Sequence, residues 1–227
     1  MAKAQTNTTP ATTAPEGGAL VSIQDRIKAR IANVDRTTAG MGTQKINLAV
    51  TGFTLPNGNQ SAGPLNCIVV DYINVNAWYE KAYVKGSIDA PDCTAIAREI
   101  SEMVPDQSLE KVQAASCESC PKNEWGSKGA GKECRNGIML AVLPEDFDDS
   151  SELLTINVSP KGIKSWSKLV HLLKETGKDP AEIVTSISLV PGLTYPQLEF
   201  KALGPNNNLE GLNPFLPLAD ALLKPTK

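Results

Sequence analysis

The chain has 227 residues, of which 41% are hydrophobic and 21% charged, and its net charge at pH 7 is -3. This length allows one domain with insertions or two small domains, and the composition supports a hydrophobic core. The acidic balance excludes a wholly basic nucleic-acid-binding protein but allows a local basic surface. The sequence has no apolar run long enough to span a membrane and no recognisable secretory signal. We therefore expect a cytoplasmic protein in a reducing compartment that makes no membrane contact.

Composition divides the chain into an arm, a core and a tail. Residues 1–20 are rich in Thr, Ala and Pro and are predicted to form a disordered N-terminal arm. The spacing over 21–36 fits a helix, although a short strand at its start also fits. Residues 21–205 are predicted to form the core, and 206–227 a tail with a short helix near 217–224.

Four segments before the middle helix are typical of strands. Residues 45–55 alternate apolar and polar side chains, and 65–75 form a β-branched run of a more buried strand. The Asn-Gly turn between them predicts that these two strands form a hairpin. Residues 137–143 and 152–158 are predicted to be two further strands around an acidic turn.

One helix and two strands follow. Ser159 and Pro160 are typical of a helix N-cap and first turn, and Gly177 is typical of a helix end. Strands are predicted over 182–190 and 195–203. The order of elements predicts a β-rich α+β fold, an OB-like Greek-key barrel with one packed helix.

Residues 86–136 differ from the rest of the core. They carry four of the five cysteines and few large apolar residues, so we interpret them as an insertion without a core of its own. A short helix is predicted over 94–104, ending before Pro105. Cys67 lies in an apolar strand and is interpreted as a buried core residue.

The cysteines of the insertion have the spacing of a zinc site. They are Cys93, Cys117, Cys120 and Cys134. Thiolates two residues apart on a tight turn can both reach a tetrahedral zinc at about 2.3 Å, and two distant cysteines complete the sphere. Such a closed Zn²⁺ site is structural rather than catalytic, and it would order a segment that has no core. A disulfide framework and a redox Cys-x-x-Cys pair are the alternatives. Disulfides fit the expected reducing compartment less well. A redox pair usually lies at the strand-to-helix turn of a βαβ unit, which the predicted order of elements lacks.

A glycine-rich turn lies between these cysteines. Gly126-Ser-Lys-Gly-Ala-Gly131-Lys132 matches a phosphate-binding loop, but Glu133 replaces the required Ser or Thr and no strand precedes the turn. We interpret it as a flexible turn that presents Trp125 among cations. The candidate phosphate-binding residues are Lys122, Lys128, Lys132 and Arg135.

A second aromatic group precedes the insertion, and lysines alternate with it. Its members are Trp78, Tyr79, Tyr83, Lys81 and Lys85. Aromatic faces beside cations suit sequence-tolerant binding of single strands, because bases stack on the rings and phosphates pair with the cations. Packing of Trp78 and Tyr79 at the end of the second strand is an equally good interpretation.

The sequence provides no catalytic set. The single histidine, His171, has apolar neighbours and is interpreted as a helix residue packed at the edge of the core. The acidic cluster at 146–152 lacks the spacing of a calcium loop and is interpreted as a solvated turn. We expect no enzymatic activity.

The cysteine motif resembles that of a family of bacteriophage and prophage zinc-motif proteins, some labelled as single-stranded-DNA-binding or replication-associated. The motif reads Cys117-Glu-Ser-Cys120-Pro121-Lys-Asn123-Glu-Trp125-Gly126-Ser127, then Gly131-Lys132-Glu-Cys134, with Pro91-Asp-Cys93 upstream. The resemblance covers about residues 45–205. It implies a phage protein of the bacterial host cytoplasm that binds single-stranded DNA and acts in replication or recombination, with replication or recombination proteins as partners.

Two other functions are open from the sequence. A zinc-stabilised protein-interaction or virion-assembly module would use the leucine-bearing segment 212–219 for docking, and its acidic charge would suit protein partners. A nuclease accessory subunit is a third possibility, although no carboxylate set for catalytic metal is present.

Overall fold

The computed structural model describes residues 44–82 and 89–226 of the chain. The predicted arm over 1–20, the element over 21–36, and the candidate residues Tyr83 and Lys85 lie outside these ranges.

The described chain is a β-rich α+β fold, as predicted. Its strands are β1 (Lys45–Ala49), β2 (Gly52–Thr54), β3 (Gln60–Ser61), β4 (Leu65–Trp78), β5 (Cys93–Ala97), β6 (Arg135–Pro144), β7 (Leu154–Val158), β8 (Ile183–Leu189) and β9 (Leu198–Pro205). Its helices are α1 (Pro160–Glu175) and α2 (Leu216–Leu222), and short 3-10 turns occur elsewhere.

The strands form one sheet organised around the long strand β4. The order is β3-β2-β1-β7-β6-β4-β8-β9, and β5 also pairs with β4. Strand β6 pairs along one edge of β4, while β8 and β5 share the other edge, β8 at residues 65–68 and β5 at 74–78. A register irregularity between Val69 and Asp71 separates the two halves of β4. The far half of β4 thereby carries the cysteine-bearing strands.

The predicted hairpin of 45–55 with 65–75 is wrong. Strand β1 turns back at once to pair with β2, and its other edge pairs in parallel with β7. Gly52 permits this early turn, because its φ is +153° and a Cβ there would lie 2.3 Å from the Ser61 carbonyl oxygen. Strand β4 is instead paired with distant strands.

The predicted helix over 94–104 is also wrong. Residues Cys93–Ala97 form β5, and only Ile100–Glu102 form a 3-10 turn. Ala95 and Ala97 are buried on one face of β5, together with Met103 and Cys117. Pairing with β4 satisfies one edge of this segment. On its other edge the Ile96 carbonyl accepts a hydrogen bond from the Thr226 amide, and the Ile96 amide donates to the Thr226 hydroxyl.

Helix α1 has the predicted bounds. It begins at Pro160 after Ser159 and is followed by Gly177 at φ +66°. Trp166, Leu169 and Leu173 are its buried apolar side chains, and they pack on the sheet.

Both faces of the sheet are covered, which explains the continuous apolar run in β4. Cys67 and Val69 belong to the cluster under α1, whereas Ile68 and Val70 face a second cluster. The C-terminal segment covers this second face with four buried side chains, which are Leu212, Phe215, Ala219 and Leu223. The predicted tail therefore packs on the core.

We expect Leu223→Ala to lower the free energy of unfolding by about 2–5 kcal/mol, the usual cost of truncating a buried leucine. Leu223 is fully buried, whereas Leu218 is 54% exposed. Leu218→Ala is therefore the matched control and should change stability by less than about 0.5 kcal/mol. Urea unfolding measures both changes, and equal midpoints for the two variants would contradict the packing described here.

Candidate metal and nucleic-acid site

Strand register brings two of the cysteines to the same end of β4. Cys93 is the direct partner of Trp78 in the β4–β5 pair. Cys134 immediately precedes Arg135, which is the partner of Ala77 in the β4–β6 pair. The two strands flank β4, so residues more than 40 positions apart in the sequence become neighbours.

Backbone hydrogen bonds hold the Cys117–Cys120 turn over this end of the sheet. The Cys117 amide donates to the Met103 carbonyl at 3.0 Å, and the Cys134 amide donates to the Lys122 carbonyl at 2.8 Å. Pro121–Asn123 form a 3-10 turn in which the Asn123 amide donates to the Cys120 carbonyl at 2.9 Å. A Cys-x-x-Cys-Pro segment thus lies directly above the strand-borne cysteines.

The four thiols line one small cavity of about 10 Å³. All four residues are buried, and all five cysteines of the chain, which lie within the described residues, are free thiols rather than disulfides. Among residues 44–82 and 89–226, no group of three or more His, Cys, Asp or Glu side chains is already arranged to hold a metal ion. The cavity therefore gathers four soft ligands without the geometry of a closed metal centre.

Burial and the neighbouring cysteines raise the pKa of two of these thiols, Cys117 and Cys134. Burial, followed by the neighbouring cysteines, raises the pKa of Cys134 to about 12. Burial likewise raises the pKa of Cys117, which a hydrogen bond from Asn76 opposes. An unpaired negative charge is therefore unfavourable in the cavity. A bound cation would lower the pKa of the thiols and stabilise the thiolates.

Three asparagines connect the cysteine turn to the sheet. The Asn123 side-chain amide donates to the Cys117 carbonyl at 2.8 Å. The Asn136 amide nitrogen lies 2.5 Å from the Asn76 side-chain oxygen and 2.9 Å from that of Asn123. Hydrogen bonds of this kind, made around the ligands of a metal site, hold the ligands in their orientation. Only Asn123 could have been singled out from the sequence, because it belongs to the cysteine motif.

Trp78 is a core residue, which corrects its prediction as a stacking platform. It is 7% exposed and clusters with Cys93 and Cys134. Its indole nitrogen donates to Glu133, and the Lys122 ammonium lies 5.5 Å from the ring centroid. The alternative interpretation, packing at the end of the second strand, is the one the structure shows.

Lys122 forms a salt bridge within the fold. Its ammonium lies 2.9 Å from the Glu133 carboxylate, and that hydrogen bond, with a smaller contribution from Trp78, lowers the pKa of Glu133. The position after the glycine-rich turn, where a phosphate-binding loop has a hydroxyl, therefore carries a carboxylate that fixes Lys122.

Trp125, unlike the buried Trp78, is exposed to solvent. Its side chain is 78% exposed at the glycine-rich turn, in which Gly126 and Gly129 have positive φ. Lys128 is exposed on the same turn, and its backbone bonds to Gly131. Lys132 donates to the side-chain oxygen of Asn123 at 3.3 Å and has no carboxylate partner among the described residues. An exposed indole thus lies on the same segment as two cations, between the cavity residues Cys120 and Cys134 in the chain.

Arg135 and Tyr79 form a separate pair at the end of β4 and β6. The guanidinium carbon lies 5.3 Å from the Tyr79 ring centroid. Arg135 is exposed and Tyr79 half-buried, and Lys81 nearby is exposed. Cations of the insertion thus contact the second aromatic group, Lys122 at Trp78 and Arg135 at Tyr79. Among the predicted aromatic residues that the structure describes, Trp125 is exposed, Tyr79 is half-buried and Trp78 is buried.

His171 and the acidic cluster at 146–152, for which no catalytic role is expected, are at the surface. His171 is exposed, with its Nε2 atom 3.3 Å from a Glu175 carboxylate oxygen, so its predicted packing at the core edge is wrong. Asp148 accepts hydrogen bonds from Ser150 and Ser151, which lower its pKa and explain the acidic cluster as a turn.

Comparison with known proteins returned no matching family, no matching curated protein and no matching solved structure. In the described part of the chain, neither helix has the length and apolar character required to cross a membrane.

Proposed function

We propose that the chain binds single-stranded DNA with little sequence preference. The observation that carries this proposal is Trp125, an indole 78% exposed on a turn that is anchored by buried cysteines and bears Lys128 and Lys132. An exposed indole offers a flat face on which a base can stack, and such stacking accepts every base. The neighbouring cations supply phosphate contacts.

We further propose that one Zn²⁺ is held by Cys93, Cys117, Cys120 and Cys134. Four buried thiols around one cavity fit zinc by donor type and number, and no carboxylate lines the cavity. Binding requires the thiols to lose their protons and close around the ion. The zinc would serve as a structural link between the cysteine turn and strands β5 and β6.

The strand arrangement supports an OB-like barrel as the scaffold. The long central strand has a register irregularity, and one of its edges pairs with β8 in one half and with β5 in the other, as is compatible with a curled sheet. The proposed role in phage replication or recombination, in the host cytoplasm, is supported by the motif resemblance.

Binding of oligo-dT should weaken steeply with salt. If the accessible cations Lys128, Lys132, Arg135 and Lys81 each neutralise a phosphate, the slope of log K against log salt would be about -3. Fluorescence anisotropy of labelled oligo-dT at a series of salt concentrations measures this slope. A comparable affinity for an uncharged peptide-backbone analogue, or the absence of binding at low salt, would contradict the proposal.

A protein-interaction or virion-assembly module is the second candidate. Leu209, Leu216 and Leu218 are exposed beside the buried leucines of the C-terminal segment. Copurification from infected cells separates the two candidates, because replication proteins would support DNA binding and structural proteins would support the second function.

A further inference from the structure

A groove of 230 Å³ lies where β4, β6 and β7 meet the start of α1. Its lining includes the half-buried Val75 and Ala77, together with Ile138 and Val158, which are buried in the cluster under α1. Gly137 lies between them, and a Cβ on this residue would come within 2.9 Å of the Val158 carbonyl oxygen. The volume is below the range of about 300–1,000 Å³ that drug-sized ligands occupy, so the groove suits a smaller planar fragment.

One wall of the groove is a cation stacked on a ring. The Arg135 guanidinium covers Tyr79, and no carboxylate within residues 44–82 and 89–226 pairs with it. A planar guanidinium without an acidic partner can stack against a base and bind a phosphate in two-point geometry.

Neutral hydrogen-bonding groups, those of Asn157 and Ser159, also line the groove. The Asn157 side chain is exposed and has no hydrogen-bond partner in the described structure. Ser159 precedes α1 in extended conformation, but its hydroxyl makes no capping bond. Two polar side chains facing an apolar groove are available to the edge of a base.

We infer that this groove is a subsite for one nucleotide of the bound strand, an inference that rests on the proposed function. The base lies against the apolar walls and the Tyr79–Arg135 pair, Asn157 and Ser159 hydrogen-bond its edge, and Arg135 binds the adjoining phosphate. The subsite adds a modest base preference to the sequence-tolerant stacking on Trp125.

Asn136 connects the subsite to the cysteine cavity. It lines the groove, and its side-chain amide donates to Asn76 and Asn123. Asn76 and Asn123 both line the cysteine cavity. Disturbance of the cysteine turn is therefore expected to reach the groove through these side chains.

The test is an NMR titration of the full chain with thymidine monophosphate, thymidine and inorganic phosphate, each to about 10 mM because single-nucleotide affinities near the millimolar range are expected. Thymidine monophosphate should shift the amide signals of Gly137, Asn157 and Ser159 in a saturable manner. Thymidine should shift them less, and inorganic phosphate should not reproduce the ring-current changes. Absence of saturable shifts at these residues would overturn the inference.

Variants separate this inference from the proposed function. Arg135→Gln should weaken thymidine monophosphate binding by at least tenfold, whereas Lys174→Gln, an exposed lysine in the last turn of α1, should leave it unchanged. Oligo-dT binding without shifts in the groove would refute the subsite and leave the proposed function standing. Shifts in the groove without oligo-dT binding would refute the proposed function instead.

Discussion

Trp125→Ala should weaken oligo-dT binding by about 1–3 kcal/mol, roughly 5- to 150-fold, because one base loses its stacking surface. It should also remove the quenching of tryptophan emission by DNA. The other two tryptophans, Trp78 and Trp166, are 7% and 2% exposed and are shielded from bases. A fluorescence titration at low salt measures the quenching, and anisotropy of labelled oligo-dT measures the affinity.

Two variants serve as controls for this prediction. Trp125→Phe keeps an aromatic face and should retain most of the affinity while losing the emission signal. Ile100→Ala removes another exposed apolar side chain of the insertion, 69% exposed, and should leave binding unchanged. Wild-type affinity in Trp125→Ala would show that the exposed indole does not bind DNA.

Cys117→Ser should release the metal and unfold the cysteine turn while the β core remains folded. Apparent zinc-binding free energies in small metal-stabilised domains are about 10–16 kcal/mol, and this energy is coupled to folding. The apolar clusters around these cysteines are small, so little else orders the turn. Hydrogen exchange should accelerate over residues 89–134 and remain slow in β6, β7 and β8.

Cys67→Ala is the matched control for the loss of a thiol. Cys67 is buried under α1 and is remote from the cavity, with its Sγ atom 3.6 Å from the Thr185 carbonyl oxygen. This variant should keep its metal and the slow exchange of the cysteine turn. Full zinc occupancy in Cys117→Ser would refute the assignment of Cys117 as a ligand.

The elements whose apolar residues recur with a clear helical or strand period were predictable from the sequence. Helix α1 has an apolar stripe between a Ser-Pro start and a glycine end, and its observed bounds match. Residues 94–104 fit a short helix that ends before Pro105, but Cys93–Ala97 form strand β5. Its true conformation depends on pairing with the far half of β4, a long-range contact that local propensity does not contain.

The site was predictable to the same limited extent. The cysteines could be singled out because thiols at metal-ligand spacing are informative by residue type. The burial of each aromatic residue could not be predicted, because adjacent residues at the end of β4 face different environments. Trp78 is buried against the cysteines, whereas Tyr79 lies under Arg135. The groove combines β4, β6, β7 and α1, so it depends on strand register rather than on any motif.

The most direct test is the metal content of the purified wild-type chain, measured by elemental analysis after exhaustive dialysis against metal-free buffer. Four thiolates closing around one ion predict about one zinc per chain, retained through the dialysis. A wild-type chain that contains no zinc, and takes up none when zinc is supplied under reducing conditions, would contradict the cysteine-anchored presentation of Trp125.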